Sequence, residues 1–308
     1  MKKQKIILDV DPGVDDSIAM IYGFLCDELD IKLVSVVGGN VDANQCTLNA
    51  LFITQTFERY QIPVVKGSVK PLKKRMVHDL NVHGKKGLGN LIEVTDTQKK
   101  TINRRGYGVC EAMRDTIMAN KNQITIVCLG PSTNLAKTLE KYPNVKNYIK
   151  KVVLMGGSLD GTGSITKYAG FNVYSDPDAC DMIVKSGLKI IFSPKELGLN
   201  TFITQPILEK WSALNFTGDM VKKLYTGYHD LLLPTDKFAT HDLCALMSLV
   251  RPQYYTSKQV DVSVNTDIGR KRGQTLFNEN PSSNITLLCS VDRKKVLREF
   301  ERKLKNAK

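Results

Sequence analysis

Short apolar runs that stop abruptly at Gly, Asn or Asp alternate along this chain with segments of helical periodicity. KIILDV is the first such run and ends at carboxylates, and a helical pattern follows from Asp15 to Leu25. IKLVSVVGGN is another β-branched run, ending at Gly-Gly-Asn; a second helical segment, Asn44 to Thr56, then leads to IPVVKG. ITIVCLGPSTNLAKTLEKY, IKKVVLMGGS, and DPDACDMIVKSG leading to LKIIFSP continue the alternation. The pattern predicts an α/β fold, a mostly parallel, Rossmann-like open sheet flanked by helices. Ligands of such sheets collect beyond the carboxyl ends of the strands. Asp9, Asp11, Asn40, Leu129 and Gly156–Gly157 all fall at such ends, so a site drawn from several segments is expected there. No repeat, low-complexity tract or linker interrupts the chain, and residues 1–308 are expected to form a single domain. The polar stretch Val77–Arg105 reads as a long loop over the strand ends, a place where function often resides, and Gly156–Tyr168 reads as a second irregular stretch.

Composition changes this picture little. Hydrophobic residues make up 42% of the chain and charged residues 24%, as in soluble globular proteins. No apolar stretch approaches the roughly 18–20 residues that span a bilayer, and aspartates interrupt the first apolar run too early for a signal peptide. No membrane partner is expected. Seven cysteines are scattered singly with no CxxC pair, which reads as reduced, mostly buried thiols of a cytoplasmic protein. The net charge of +13 invites a nucleic-acid reading, but the excess is spread out, densest at Lys66–Arg75 and from Arg293 to Lys308. In that tail Val296, Leu297, Phe300 and Leu304 fall on one helical face, so the basic residues form its wet side. With no RNP-like aromatic string or zinc-finger spacing, no nucleic-acid partner is expected.

The opening stretch LDVDPGVDDSIAM changes it more. Asp9, Asp11, Asp15 and Asp16 crowd around a Pro-Gly turn with no cationic residue among them. First-turn acids favoured by a helix dipole account for one or two of them, not four. A hard divalent cation, which takes oxygen ligands, accounts for all four converging at a strand end. The bland alternative is a set of caps and ion pairs.

At these residues the chain resembles the calcium-dependent nucleoside hydrolases, the inosine-uridine-preferring N-ribohydrolases. Asp9-Val10-Asp11-Pro12-Gly13-Val14-Asp15-Asp16 matches their opening Asp-x-Asp-Pro-Gly-x-Asp-Asp. The likeness continues in order through VVGGNV with Asn40, TLNAL with Asn49, IPVVKGSVKPL, VHGKKGLG with His83, CLGPSTNLA, LMGGS, GFNVYSDPDA with Asn172, and THDLCA with His241 and Asp242; it ends with RGQT and SVDRKKV. The resemblance implies a Ca²⁺ ion held by Asp11, both oxygens of Asp16, Asp242 and the Leu129 carbonyl, with remaining positions for a water and the ribose 2′- and 3′-hydroxyls. Asp11 would be the general base for that water. Asp15 and Asn40 would grip the 2′-hydroxyl region, Asn172 the other side of the ribose, and Met155 would also contact substrate. His241 would be the candidate acid near the leaving base, and His83 with its loop would close over the base. The implied reaction is hydrolysis of a ribonucleoside or related riboside to base and ribose, in purine or pyrimidine salvage, by a homodimer or homotetramer.

These residue types suit that chemistry. Breaking an N-ribosidic bond builds positive charge on the sugar and negative charge on the base, which carboxylates and a proton donor stabilise respectively. A cation that holds both the diol and a water aligns the nucleophile and lowers its pKa. It also makes ribose preferred over 2′-deoxyribose, since a site built for a hydroxyl rejects its absence. One departure stands out: Gly170-Phe171-Asn172 replaces the family's Glu-Phe-Asn, and its Gly-Asn pair is not evident in GGSLDGTGSITKYAG, so recognition of the 5′ group is expected to be altered. An anionic or bulky 5′ substituent would suit the lost carboxylate.

Two rival classes stay open at this point: a Mg²⁺-dependent phosphohydrolase of the haloacid-dehalogenase type, whose Asp-x-Asp also follows a first strand, and a non-catalytic nucleoside- or ribose-binding protein. Individual residues also have bland readings. His241-Asp242 could be only the start of a buried helix and His83 an ordinary loop histidine. His229 is expected to be structural in a helix-like stretch, Tyr225 and Tyr228 either line the base pocket or pack, and Asn49 is expected to brace a turn beside the site.

Overall fold

A computed structural model describes residues 3–73, 75–89, 94, 108–229 and 232–307. Its strands are β1 (Gln4–Val10), β2 (Leu29–Val36), β3 (Val64–Lys66), β4 (Ile124–Cys128), β5 (Ile149–Met155), β6 (Ile190–Ser193), β7 (Ile203–Thr204), β8 (Lys237–Phe238), β9 (Tyr255–Val264), β10 (Thr275–Glu279) and β11 (Ile285–Val291). The main sheet has the order β10-β9-β11-β6-β5-β4-β1-β2-β3, and β7 pairs with β8 apart from it. From β11 across to β3 every pairing is parallel; β9 then runs antiparallel to both β11 and β10. The expected α/β sheet is therefore present, extended at one edge by an antiparallel pair.

Helices cover both faces of the parallel run, which is why its central strands read as continuous apolar segments. Every residue of β4 is buried, as is β1 from Ile6 onward. The first helix, Val14–Leu25, is buried almost all round, and Tyr22 meets Phe300 of the last helix edge-on at 6.0 Å between ring centroids. That last helix, Arg293–Lys305, buries Val296, Leu297, Phe300 and Leu304 and exposes most of its basic residues, but Lys303 departs from the expectation: it is buried, its Nζ 2.7 Å from Glu28 Oε2. The seven cysteines are free, with Cys26, Cys46, Cys128, Cys180 and Cys244 buried. Among the described residues no helix is long and apolar enough to cross a membrane.

The sheet's centre is tied to the site by Asp9. It was expected among the ligand-gathering acids, but its side chain turns into the protein, where Oδ1 accepts from Ser35 Oγ (2.7 Å) and Asn134 Nδ2 (2.8 Å). The chain leaves β1 at Val10, so the two-residue alternation that would set Asp9 and Asp11 on one face no longer holds. Burial raises the Asp9 carboxyl from 3.8 to about 6 against the pull of the Asn134 and Ser35 hydrogen bonds. Asn134 also donates to Val36 O (3.1 Å) and accepts from Ser68 N (2.8 Å), joining three strand ends. Asn134→Ala strands these buried partners, and a loss of about 3 kcal/mol is expected, read as the midpoint shift in urea unfolding.

Two loop readings need correction. Within Val77–Arg105 the chain forms a short helix, Leu80–His83; residues 90–93 and 95–105 of that reading lie outside the described residues. The helix before His229 ends at Thr226, because Gly227 packs against the backbone of Gly89 and the chain turns there. Gly156–Tyr168 is irregular, as expected.

Candidate active site

The carboxyl ends of β1, β2, β4, β5 and β6 open into one cleft, lined among others by Asp15, Asp16, Asn40, His83, Leu129, Met155, Gly170, Asn172, Lys195, Tyr228, His241 and Asp242. Asp15 and Asp16 lie in the first turn of helix Val14–Leu25, and Asp242 in the first turn of helix His241–Val250. Carboxylate oxygens of Asp15, Asp16 and Asp242 all lie within 4.8 Å of one another. Asp11 lies outside that tight set and slightly behind it, only 1% exposed. Its Oδ2 accepts from Asn40 N at 2.9 Å, while its Oδ1 finds no hydrogen-bond partner among the described residues. Gly39 and Gly130 flank this carboxylate so closely that a methyl group on either would overlap it. That explains the glycines of VVGGN and CLGPS.

Asp16 is oriented from several directions. Asp11 N donates to its Oδ1 (3.1 Å), and Gly13 N (3.1 Å) and Asn40 Nδ2 (3.0 Å) donate to its Oδ2. Burial first, then the neighbouring Asp16 charge, pushes the Asp11 carboxyl well above the ordinary carboxylate range. Asp242 is raised as strongly by burial and by the charges of Asp15, Asp16 and Asp11. Among the described residues no Lys or Arg pairs with Asp11, Asp16 or Asp242. Buried like charges of this kind are relieved by taking up protons, as the raised values show, or by a cation from outside the chain. The all-oxygen donors, the partnerless Asp11 Oδ1 and the glycine cradle fit a hard divalent ion.

Residues 6–298 match the sequence profile of the inosine-uridine preferring nucleoside hydrolases. The chain belongs to that family. The non-specific ribonucleoside hydrolase RihC of Shigella boydii serotype 4 (strain Sb227) is 35% identical over 261 residues, 85% of this chain and 84% of that protein. RihC of Salmonella newport (strain SL254) is 34% identical over 293 residues, 93% of this chain and 94% of its own length. A purine-preferring ribonucleoside hydrolase from Gardnerella vaginalis superposes with a TM-score of 0.90 at 27% identity, covering 98% of both chains. This nucleoside hydrolase is accordingly an enzyme of the N-glycosidase class. The phosphohydrolase alternative is not favoured, since the family match runs through the very segments it left unexplained.

All the residues expected at the site except Asp9 and Asp11 line the nucleoside hydrolase's cleft directly. His83 is no ordinary loop histidine: Val14 N donates to its Nδ1 at 3.1 Å, which puts the neutral ring's proton on Nε2 and leaves Nδ1 no proton for Asp15 Oδ1, 3.8 Å away. Gly13 has no side chain because His83 and Asn40 occupy that space. Asn49 braces the turn as expected, donating to Pro12 O (2.9 Å) and Lys86 O (2.8 Å). Tyr228 lines the cleft with its ring 5.5 Å from that of His83, whereas Tyr225 is fully buried and packs. His229 is not itself a lining residue; its backbone N–H donates to the carbonyl of Val82, which is. Two expectations are redirected. The tight acidic set has Asp15 beside Asp16 and Asp242, while Asp11 accepts from Asn40 N. The Asn172 amide, expected on the ribose, donates to Leu129 O and to Met155 O (3.3 Å). Lys195, Ser164, Asp79 and Leu232 also line the cleft and had not been singled out. Lys195 follows β6, and the strand-end rule applied to LKIIFSPK could have found it.

Proposed function

We propose that the protein hydrolyses the N-glycosidic bond of ribonucleosides to free base and ribose, with Ca²⁺ in the acidic cluster. The observation that carries this reading is the convergence of buried Asp11, Asp15, Asp16 and Asp242 in one cleft without a Lys or Arg partner for Asp11, Asp16 or Asp242 among the described residues. Asp11, Asp16, Asp242 and the Leu129 carbonyl would hold the ion; Leu129 O keeps a second lone pair beside the one Asn172 uses. When bound, the ion supplies neutralisation of the cluster, a grip on the vicinal diol and a lowered water pKa.

The protein's own groups do the rest. Asn40 N–H holds Asp11 Oδ2, leaving Oδ1 to take the proton of the attacking water as general base. Asp15 and Asn40 flank the 2′-hydroxyl, and Asn172 and Met155 bound the opposite side of the ribose. As the C1′–N bond lengthens, positive charge grows on the ring in reach of the carboxylates, which stabilise it. His241 donates a proton to the departing base, and His83 and Tyr228 provide the rings that cover it. Gly170 offers no side chain to a 5′-hydroxyl, so 5′ recognition differs from that of the family pattern.

Reducing-sugar release from inosine and uridine in the presence of Ca²⁺ tests the reading. Stoichiometric base and ribose are expected. Tight nucleoside binding with no sugar after hours would instead make the chain a non-catalytic binding protein.

A further inference from the structure

The cleft is electrically lopsided. Its aspartates, Asp15, Asp16, Asp79 and Asp242, are joined by a single Lys or Arg among the described lining residues, Lys195. Lys195 follows β6, whereas Asp15 and Asp16 follow β1. With β5 and β4 between them, three interstrand steps, about 14 Å, separate the two strands.

Lys195 is held in place at the cleft wall. It is 9% exposed, and its backbone N–H donates to Gly157 O at 3.2 Å. Its Nζ donates to Thr162 Oγ1 (3.3 Å) and Glu196 Oε1 (2.9 Å), two of an ammonium's three donors. Glu196 is in turn drawn toward Ser158 Oγ (2.7 Å) and Leu159 N (3.1 Å), and neither Glu196 nor Ser158 lines the cleft. Glu196, an ion-pair partner at 2.9 Å, repays the desolvation of this nearly buried ammonium, and one of the ammonium's donors stays unused among the described residues. Gly170 lines the same cleft, and a methyl group there would meet nothing within 4 Å. The cleft therefore offers, away from the acids, an ion-paired cation with an unused donor, and open space at Gly170.

A riboside seated with its diol at the acids and its base against His83 and Tyr228 sends C5′ the other way, since C1′ and C4′ flank the ring oxygen. Resting on the function proposed above, we infer that this end receives a 5′-phosphate, and that ribonucleoside 5′-monophosphates are the preferred substrates, with Lys195 as the phosphate's counter-charge. A phosphate monoester carries about −1.5 to −2 charge near neutral pH, and lysine meets it as a point charge. The reaction balances without a co-reactant. The C1′–N bond breaks with its electron pair going to the base, water supplies hydroxyl to C1′ and a proton to the base, and the products are free base and ribose 5-phosphate.

Initial rates on inosine and inosine 5′-monophosphate, in Ca²⁺ at matched ionic strength, test this for wild type, Lys195→Met and Lys195→Arg. Wild type is expected to show a kcat/KM at least tenfold higher for the monophosphate. Lys195→Met should lower the monophosphate-to-inosine ratio at least tenfold, and Lys195→Arg should restore part of it. A wild-type ratio of one or less overturns the inference while leaving inosine hydrolysis intact, and this arm does not depend on any variant folding. A high ratio unmoved by Lys195→Met overturns the role of Lys195. Turnover of neither compound defeats the underlying function and the inference together.

Discussion

Asp11→Asn is expected to cut ribose release by about 10²- to 10⁴-fold, the range that a positioned general base contributes. The same substitution should leave the chelated protein as stable as wild type or more so. Asn matches Asp in shape, and its side-chain oxygen can still accept from Asn40 N, the contact that fixes Asp11 Oδ2 at 2.9 Å. What disappears is a buried charge beside Asp16, one of the causes that hold the Asp11 carboxyl above its ordinary range. Without a cation that charge only repels its neighbours, so its removal does not weaken the fold. With calcium present the order reverses, because the variant has lost one ligand and its calcium-induced gain in Tm should shrink. Ribose release and thermal melts, each with calcium and with chelator, check both halves. Activity within tenfold of wild type would take the base role away from Asp11. A chelated variant that melts well below wild type would show that the charge serves the fold instead.

The parallel half of the sheet was legible because burial on both faces leaves near-continuous apolar runs that end at the cleft, as in KIILDV and ITIVC. The antiparallel edge was not: YTSKQVDVSV in β9 alternates Val260, Val262 and Val264 with polar residues rather than forming a continuous apolar run, and it ends at no carboxylate or Gly-Gly that would mark a site. At the site, the residues legible in sequence were those packed into short motifs, such as Asp15-Asp16 and His241-Asp242. Which way a carboxylate points was not legible, because it depends on where the strand stops. Asp9 and Asp11 are two residues apart, yet Asp9 turns to Asn134 and Asp11 to Asn40, across the end of β1 at Val10. Glycines carried more information than their composition suggests. Gly39 and Gly130 come from different strand ends and acquire meaning only when both press on Asp11. Lys195 was missed for a related reason: only its position just after β6 marks it, and its place opposite the acids exists only once β6 lies three strands from β1.

Removing the divalent cation is expected to abolish turnover altogether and to make stability fall more steeply as pH rises. Burial raises the Asp9 carboxyl from 3.8 to about 6, and burial with mutual repulsion raises Asp11 and Asp242 further. A carboxyl with a raised folded-state pKa binds its proton more tightly in the native than in the unfolded chain. The native state is then favoured at low pH, and that advantage is lost as pH climbs through the folded-state value. In chelator, stability should therefore fall as pH rises from about 4 through about 6 on account of Asp9, and fall further as the higher values of Asp11 and Asp242 are approached. Calcium favours the ionised forms of Asp11, Asp16 and Asp242, so it should remove their part of the decline and release protons on binding. The calcium-minus-chelator difference in Tm should accordingly be small at about pH 5 and widen toward about pH 8, while added calcium restores activity to the chelated enzyme. Melts across that range, with the same samples assayed for ribose release, decide the matter. Identical curves with and without chelator, together with undiminished turnover, would mean that the clustered aspartates hold no exchangeable ion and that their charges are balanced by the protein itself.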